Sequence, residues 1–583
     1  MARTLRIVNY AVNGSGVGHL TRLIAINRWM RRYALHAGVR AEIYFLTSCE
    51  ADGLLFGERF ASFKLPSKTT IGDAGVDKLT YLALAKQWVW HSLGLLRPDL
   101  LVVDSFPRGS FGELLSALDL ARHRAFIYRP VKAAFGARTD FQTMLPLYDT
   151  LVVPEHRSTV EVEVPAAVQS RLHYVGPVMV RERVELLARA AARAELGVPD
   201  GRLAVYVTAG GGGDGGAEQQ LSTCVRALLE LPDVHVVVGA GPLYRGRALH
   251  GERVTWLTRG GAAELHGGLD LAVSAAGYNS WSELLHAGVP TVFLPQEKIA
   301  DEQHVRAARA AAAGAAVVLE PGPGLPAALR AAVEGWRDPA AREVAAAAAR
   351  ALLPKNHARE AAAELLRLVM PASASAAAEA AIDDQVLAAA RSQGLALETL
   401  IDVMHALAPP DGDGDAGNGH GHGNGNGRKR RVDRGTESTS RLACELMAAV
   451  GARGIPVPAA LRVITQASRK LPLATPAERA AAVTELLGEL APFDDWAGAA
   501  TLLKLLAPEK QLSASALTRE LASFLGGLRT RGEDLYRGVA YLSSAQGSAG
   551  ELPSNGALLA AATPSTAATP AATPAPASPP RAS

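Results

Sequence analysis

The sequence predicts an α/β protein with two consecutive parallel-sheet domains and a helical extension. Two sets of short β-rich runs alternate with amphipathic stretches, a pattern typical of parallel sheets covered by helices. The first set is Leu5–Ala11, Ala41–Leu46, Leu100–Asp104, Ala125–Tyr128 and Thr150–Val153. The second set is Leu203–Thr208, Val234–Val238, Val254–Leu257, Leu271–Ser274, Thr291–Leu294 and Ala316–Leu319. The turn Val175-Gly-Pro177 separates the two sets, so we predict an interdomain hinge there.

Composition shifts divide the rest of the 583 residues. We predict parallel-sheet domains over 1–178 and 179–370, a helical segment over 371–408 and a small helical domain of unknown role over 438–548. Residues 409–437 are rich in Gly, Asn and His with almost no apolar content, which is typical of a flexible linker. Residues 549–583, rich in Ala, Thr, Pro and Ser, are predicted to be a disordered tail.

Charge and cysteine usage argue against several classes of protein. A formal charge of +3 gives no argument for nucleic acid binding, and the basic run 428–431 is explained by a solvated linker end. Neither a disulfide framework nor a zinc site is indicated, because three isolated cysteines are present: Cys49, Cys224 and Cys444. His420 and His422 stand in a Gly/Asn run that fixes no metal geometry. With neither a signal-peptide pattern nor a spanning apolar run, a cytoplasmic location is expected.

The loop after the first strand carries a candidate base. It reads Asn13-Gly-Ser-Gly-Val-Gly-His-Leu-Thr-Arg22 and opens a helix. A dinucleotide fingerprint would require glycine in place of His19, and a P-loop would require Gly-Lys-Ser/Thr. A neutral imidazole facing a cleft can take a proton from a hydroxyl or a water, although His19 could instead cap the helix. The loop could also contact an acceptor or a phosphate through Gly14, Gly16, Gly18 and Arg22.

Two further strand ends in the first half carry charged residues. Asp104 ends the third predicted strand and therefore faces the same crevice as the first loop. It is a second candidate base, an orienter for His19 or a simple turn cap. Arg129 also ends a strand and could meet an anionic acceptor.

The second half carries two segments suited to an anionic nucleotide ligand. Thr208-Ala-Gly-Gly-Gly-Gly-Asp-Gly-Gly216 lies between a strand and a helix, where successive free amides form an anion cradle. Asp214 is unexpected there, because a carboxylate repels a diphosphate; it could point away or help to hold a metal. Ser274-Ala-Ala-Gly-Tyr-Asn-Ser-Trp-Ser-Glu283 places Glu283 on the first turns of a helix, where its carboxylate could accept two hydrogen bonds from a ribose diol.

These segments together resemble a known family of enzymes. Ser274–Glu283, Asp301-Glu-Gln303 and the Gly-x-Gly-His-Leu-x-Arg form at Gly16–Arg22 resemble the nucleotide-sugar site of the GT-B glycosyltransferases, most closely the MurG-type, family 28-like UDP-GlcNAc transferases. The resemblance covers about residues 5–320 and implies two Rossmann-like domains facing a cleft. It implies that the donor is held by Gly210, Gly211, Gly212, Gly277, Asn279, Ser280, Glu283, Gln303 and Arg181.

The resemblance also implies a reaction. A sugar, an N-acetylhexosamine or a hexose, would pass from a UDP-sugar to the hydroxyl of an unidentified acceptor (a glycan, a lipid-linked molecule or a small molecule) with inversion. His19 or Asp104 would deprotonate that hydroxyl, and neither a cofactor nor a metal would be required.

Other functions remain compatible with the same residues. Water could replace the acceptor, as in the UDP-sugar hydrolases of pseudaminic acid synthesis, or the site could interconvert 2-epimers of a UDP-sugar. A non-catalytic scaffold is the remaining alternative, supported by Asp214 and the long extension. The helical turn Arg28–Tyr33 could bring the protein to the inner face of the plasma membrane as a peripheral contact, although a packed Trp29 explains the same residues.

Overall fold

The computed structural model describes residues 4–12, 16–257, 262–408, 435–471, 475–505, 514–540 and 543. The predicted tail lies wholly outside these residues, and the predicted linker lies outside them up to residue 434. The chain divides into two compact units, Met1–Ser392 and Gln393–Ser583. This division falls within the segment 371–408, which the sequence analysis treats as one helical piece.

The first domain is built on a seven-stranded parallel sheet in the order β3-β2-β1-β4-β5-β6-β7. Its central strands consist almost entirely of buried apolar side chains, because helices cover both faces of such a sheet. The strands are β1 (Thr4–Ala11), β2 (Arg40–Thr47), β3 (Ala61–Lys64), β4 (Leu100–Asp104), β5 (His123–Ile127), β6 (Thr150–Val153) and β7 (Leu172–Tyr174).

The second domain repeats this architecture with six parallel strands in the order β10-β9-β8-β11-β12-β13. Every residue of β8, β9 and β11 is buried. The strands are β8 (Leu203–Thr208), β9 (Val234–Gly239), β10 (Val254–Trp256), β11 (Leu271–Ser274), β12 (Thr291–Phe293) and β13 (Ala316–Val318). The predicted two-sheet α/β class is therefore confirmed.

Helices connect the strands and continue beyond the second sheet. Those up to β13 are α1 (Gly18–His36), α2 (Gly53–Gly57), α3 (Lys68–Asp73), α4 (Lys78–Leu96), α5 (Ala133–Gly136), α6 (Thr139–Gln142), α7 (Arg189–Glu195), α8 (Ala217–Leu229), α9 (Tyr278–Ala287) and α10 (Gln303–Ala312). The helices that follow β13 in this unit are α11 (Leu325–Gly335), α12 (Pro339–Leu352), α13 (Ala358–Leu366), α14 (Ala372–Ala381) and α15 (Asp384–Ser392). Because α13 and α14 pack on α1, the chain returns to the first domain after completing the second.

The helical turn considered for membrane contact is buried by this return. Trp29 is 1% exposed, and its indole N–H donates to Glu182 at 3.1 Å. Arg28 and Arg32 are also buried, and both pair with Glu185, at 2.7 and 3.1 Å. This face of α1 is an internal surface of the protein and is not open to a lipid bilayer. Among the described residues, no helix is both long and apolar enough to cross a membrane.

The second unit is helical where it is described. It contains α16 (Leu397–Leu407), α17 (Gly435–Ala452), α18 (Val457–Arg469), α19 (Pro476–Leu490), α20 (Trp496–Leu505) and α21 (Ala514–Arg531). Arg479 on α19 is 1% exposed and donates hydrogen bonds to the backbone oxygens of Leu407 and Leu471. It thereby satisfies carbonyls that the ends of two helices would leave without intrahelical partners.

Candidate active site

Both sheets place a crevice where their strand order reverses. The reversal lies between β1 and β4 in the first sheet and between β8 and β11 in the second. Ligands of open α/β sheets bind outside the carboxyl ends of such strands. The loop before α1 follows β1, and Asp104 ends β4; the glycine-rich loop follows β8, and the turn before α9 follows β11. These four segments therefore flank the two crevices.

His19 and Asp104, which sequence reasoning treats as alternative bases, form one hydrogen-bonded pair. His19 Nδ1 lies 2.7 Å from Asp104 Oδ1, and the two residues are 8% and 1% exposed. Although burial opposes ionisation, the Arg22 and His19 partners hold the pKa of Asp104 well below its usual range. An ionised carboxylate can only accept, so His19 donates from Nδ1, and in the neutral imidazole the lone pair is then on Nε2. The His19 ring also stacks on Phe106, with centroids 5.3 Å apart.

Arg22 fixes the carboxylate that orients His19. Its Nε and Nη2 donate to the two oxygens of Asp104 at 2.8 and 2.7 Å, and the Ser105 hydroxyl donates to Oδ1 at 2.6 Å. Ser105 has a φ of 61°, which is uncommon for a side-chain-bearing residue and marks a constrained turn. Arg22 itself is 1% exposed and lies over the Tyr278 ring. Arg22 is therefore held against Asp104, and contact with an acceptor or a phosphate stays a prediction for this residue.

The glycine-rich loop of the second domain approaches the first loop of the first domain closely. A Cβ added at Gly211 would lie 3.4 Å from the backbone nitrogen of Val17 and 3.7 Å from Gly16 Cα. Gly210 and Gly212 have φ values of 77° and 79°, which favour glycine. At Gly212 a Cβ would also meet a backbone oxygen at 2.3 Å. Glycine is thus favoured by backbone conformation at Gly210 and Gly212, whereas at Gly211 a Cβ would make ordinary contacts with the loop of the first domain. Gly18 begins α1, and Gly14 lies outside the described residues.

A cavity of about 680 Å³ between the domains joins several of the predicted donor residues. Gly210, Ser280, Glu283 and Arg181 line it from the second domain and the hinge; Val17 and Thr21 are among the residues lining it from the first. This volume falls in the range of small-molecule sites. Because the surrounding protein desolvates the Glu283 carboxyl, its pKa is raised to about 7, against the opposing effects of Arg181 and the Val180 backbone N–H.

Arg181 joins the hinge to both sides of this cavity. Its Nη2 donates to Glu58 of the first domain at 2.6 Å, and its Nε lies 3.9 Å from Glu264 of the second. Arg181 is therefore held among acidic side chains at the Glu283 end of the cavity. Contact with a nucleotide, as the resemblance implies, stays a prediction for this residue.

The remaining predicted donor residues contact protein groups around the cavity. Gly277 caps the amino terminus of α9, and the Asn279 side chain donates to the Gly18 carbonyl and the Thr21 hydroxyl of α1. Gln303 is 5% exposed and accepts from the Gln296 backbone N–H at 3.0 Å. Asn279 thus tethers the second domain to the helix that carries His19.

Two charged contacts of the site involve residues that the sequence does not single out in these roles. Lys298 lies 2.5 Å from Asp214, so the unexpected carboxylate beside the glycine-rich loop is neutralised by a cation. Arg129 lies 2.6 Å from Asp301, across the cleft from its own domain. Within the described ranges there is no group of three or more His, Cys, Asp or Glu residues suited to a metal ion.

Part of the second domain matches a known family model. Residues 262–365 match the family model of the glycosyltransferase family 28 C-terminal domain. No curated protein sequence matches the chain. Similar solved structures include the calicheamicin glycosyltransferase CalG4 (19% identity, 63% of this chain and 100% of that chain, TM-score 0.43) and Acinetobacter baumannii MurG (16%, 62% and 99%, 0.42). A third is the spinosyn rhamnosyltransferase SpnG complexed with thymidine diphosphate (16%, 61% and 98%, 0.40).

The family match lies in the second domain and spans α9, β12 and α10. This segment carries Glu283 and Gln303, at the cleft between two parallel-sheet domains. The protein is therefore a glycosyltransferase with the GT-B arrangement of two Rossmann-like domains.

Proposed function

We propose that this glycosyltransferase moves a hexose or an N-acetylhexosamine from a UDP-sugar to an acceptor hydroxyl, with inversion at C1. The donor would occupy the cavity between the domains, and His19 would act as the base. The observation that carries the proposal is the buried hydrogen bond between His19 Nδ1 and Asp104, because it engages Nδ1 and leaves Nε2 as the ring nitrogen that would take a proton from the acceptor.

The proton transfer follows from the tautomer that Asp104 imposes. The acceptor O–H bond breaks as its proton passes to His19 Nε2, and the acceptor oxygen forms a bond to C1 of the sugar. The C1–O bond to the β-phosphate breaks, and its electron pair leaves with the diphosphate. Asp104 stabilises the imidazolium that forms and is itself held by Arg22, so it acts as the orienting group.

The glycine-rich loop is placed to receive the leaving charge. It precedes α8, whose amino terminus favours anions, and the positive φ values of Gly210 and Gly212 suit a turn that lets a ligand approach the backbone. Lys298, paired with Asp214, supplies a cation beside the same loop. Fixed dipoles and a fixed charge of this kind stabilise a developing diphosphate without reorganisation, and no bound metal is part of the proposal.

Glu283 is proposed to recognise the ribose of the donor. The carboxyl lines the cavity from α9, close to Ser280 and Arg181. Its raised pKa makes the balance between its neutral and charged forms sensitive to ligands near neutral pH. A ribose diol that donates to the carboxylate favours the charged form.

The proposal is tested by incubating the purified protein with a panel of UDP- and dTDP-sugars without acceptor. Thermal shift reports binding, and mass spectrometry reports free nucleotide, free sugar and epimerised donor. We expect stabilisation by one UDP-sugar with slow turnover, because a transferase awaits its acceptor.

Three other results would each contradict the proposal. Rapid release of free sugar would indicate a hydrolase, and interconversion of donor epimers without net UDP release would indicate an epimerase. Absence of any response to nucleotides would indicate a scaffold.

A further inference from the structure

The segment between β12 and α10 forms two ion pairs with the first domain. Arg129, just after β5, places Nη1 2.6 Å from Asp301 Oδ1, and its Nη2 donates to the Ala300 carbonyl at 3.3 Å. Lys132, three residues further on, lies 3.1 Å from Glu297. One short stretch of the first domain therefore holds the loop that precedes Gln303.

Asp301 links this interdomain contact to the predicted donor site. Its Oδ1 also receives a hydrogen bond from Arg306 Nη2 at 2.7 Å, and the side chain of Gln303 also approaches this carboxylate. The amide oxygen of Gln303 accepts from the Gln296 N–H at 3.0 Å, so the loop that carries Asp301 also holds the Gln303 side chain. Arg306 Nε donates to the Ala276 carbonyl at 3.1 Å, immediately before the turn that opens α9.

The two bridges differ in burial. The Arg129 and Asp301 side chains are 13% and 17% exposed, whereas those of Lys132 and Glu297 are 30% and 77% exposed. Exposed pairs contribute little, because water screens them. The Arg129 bridge is therefore the one able to couple the loop to the position of the first domain.

We propose that Asp301 is a positioning residue that orients Gln303 toward the donor sugar when Arg129 reaches it from the first domain. Recognition of the sugar is thereby linked to closure of the cleft. This inference rests on the proposed function, since it assumes that Gln303 touches the sugar of a nucleotide-sugar donor. By linkage, the factor by which the Arg129–Asp301 contact strengthens sugar binding equals the factor by which bound sugar stabilises that contact.

The test compares Arg129→Met with Lys132→Met, which removes the exposed bridge to the same loop. In Arg129→Met, Asp301 keeps its Arg306 partner, so no isolated buried carboxylate is created. Affinities for UDP and for the UDP-sugar are measured separately, because only the second ligand carries the sugar. Thermal unfolding establishes that each variant is folded.

We expect Arg129→Met to weaken UDP-sugar binding about tenfold and to raise the donor KM similarly, while UDP binding changes by less than about twofold. The pH profile of kcat stays that of the parent, because His19 keeps its Asp104 partner. Lys132→Met behaves as the parent, and Arg129→Lys recovers most of the sugar affinity because it restores the charge. If Arg129→Met does not fold, Asp301→Asn is used, with the same selective loss expected.

Three outcomes would overturn the inference. In the first, Arg129→Met and Lys132→Met are indistinguishable in donor affinity. In the second, UDP and UDP-sugar lose affinity equally, which would indicate general damage to the cleft. In the third, the parent binds no nucleotide sugar, which would overturn the proposed function and this inference with it.

Discussion

Replacing His19 by alanine tests the assigned base directly. The substitution removes Nε2 while Asp104 keeps both bonds from Arg22 and the bond from Ser105, so the buried carboxylate remains satisfied. We therefore expect a loss of roughly 1.5–3 kcal/mol of unfolding free energy, the contribution of one hydrogen bond to a charged group. Turnover should fall on the order of 10²–10⁴, or about 3–5 kcal/mol of barrier, as for removal of a general base.

The assay measures UDP release with donor and acceptor at saturation, together with donor affinity by titration calorimetry. Donor affinity should stay within about threefold of the parent, because His19 acts on the acceptor hydroxyl. His235→Ala is the matched control. His235, on β9, is also buried, and its side chain hydrogen-bonds to Thr255 at 2.8 Å. The control should retain parental turnover. Turnover of His19→Ala within about threefold of the parent would refute the assignment.

Three further predictions follow from single features of the cleft. Because burial raises the pKa of Glu283 from 4.5 to about 7, this carboxyl contributes stability that is fully present below pH 4.5 and is lost as the pH rises through 7. The unfolding free energy of Glu283→Gln should therefore exceed that of the parent by a margin that grows across that pH window. The margin should reach at most about 3 kcal/mol, because the side chain is partly exposed. A margin that does not change with pH would contradict this. Lys298→Met should weaken donor binding about threefold to tenfold, because it leaves Asp214 without its cation. Adding Asp214→Asn to that variant should restore most of the donor affinity, as measured by a double-mutant cycle. Gly212→Ala should weaken donor binding and lower the unfolding free energy by about 1–3 kcal/mol in denaturant titrations, because Gly212 has a positive φ and an added Cβ would clash. Gly215→Ala is the control: a Cβ there meets nothing within 4 Å, so donor affinity and stability should stay parental.

The sequence predicts the central strands well because parallel strands buried on both faces appear as continuous apolar runs. Leu100–Asp104, Thr150–Val153, Leu203–Thr208 and Leu271–Ser274 are confirmed at both ends. The edge strands Ala61–Lys64 and Leu172–Tyr174 are missed. Both are short, and none of their residues is buried, so they lack the apolar signal on which the prediction depends.

The candidate site is predictable only where chemistry is encoded locally. The glycine loops and Glu283 are recognisable because residue type and position along a strand–turn–helix unit define them. The pairings are not, because they join residues distant in sequence: Arg22 and Asp104 are 82 positions apart, and Arg129 and Asp301 are 172 apart. From the sequence alone, Asp104 could be a second base, an orienter for His19 or a turn cap, whereas the fold shows the two residues hydrogen-bonded to each other.

The most direct test of the account is calorimetric titration of the parent and of Glu283→Ala with the UDP-sugar that stabilises the protein. Glu283 lies in the cavity that the account assigns to the donor, and a carboxylate that accepts from a ribose diol contributes on the order of 1.5–3 kcal/mol. We expect Glu283→Ala to bind the UDP-sugar roughly 10- to 100-fold more weakly than the parent, with an unchanged fold. Equal affinity in the two proteins would show that the donor does not bind in the cavity proposed for it.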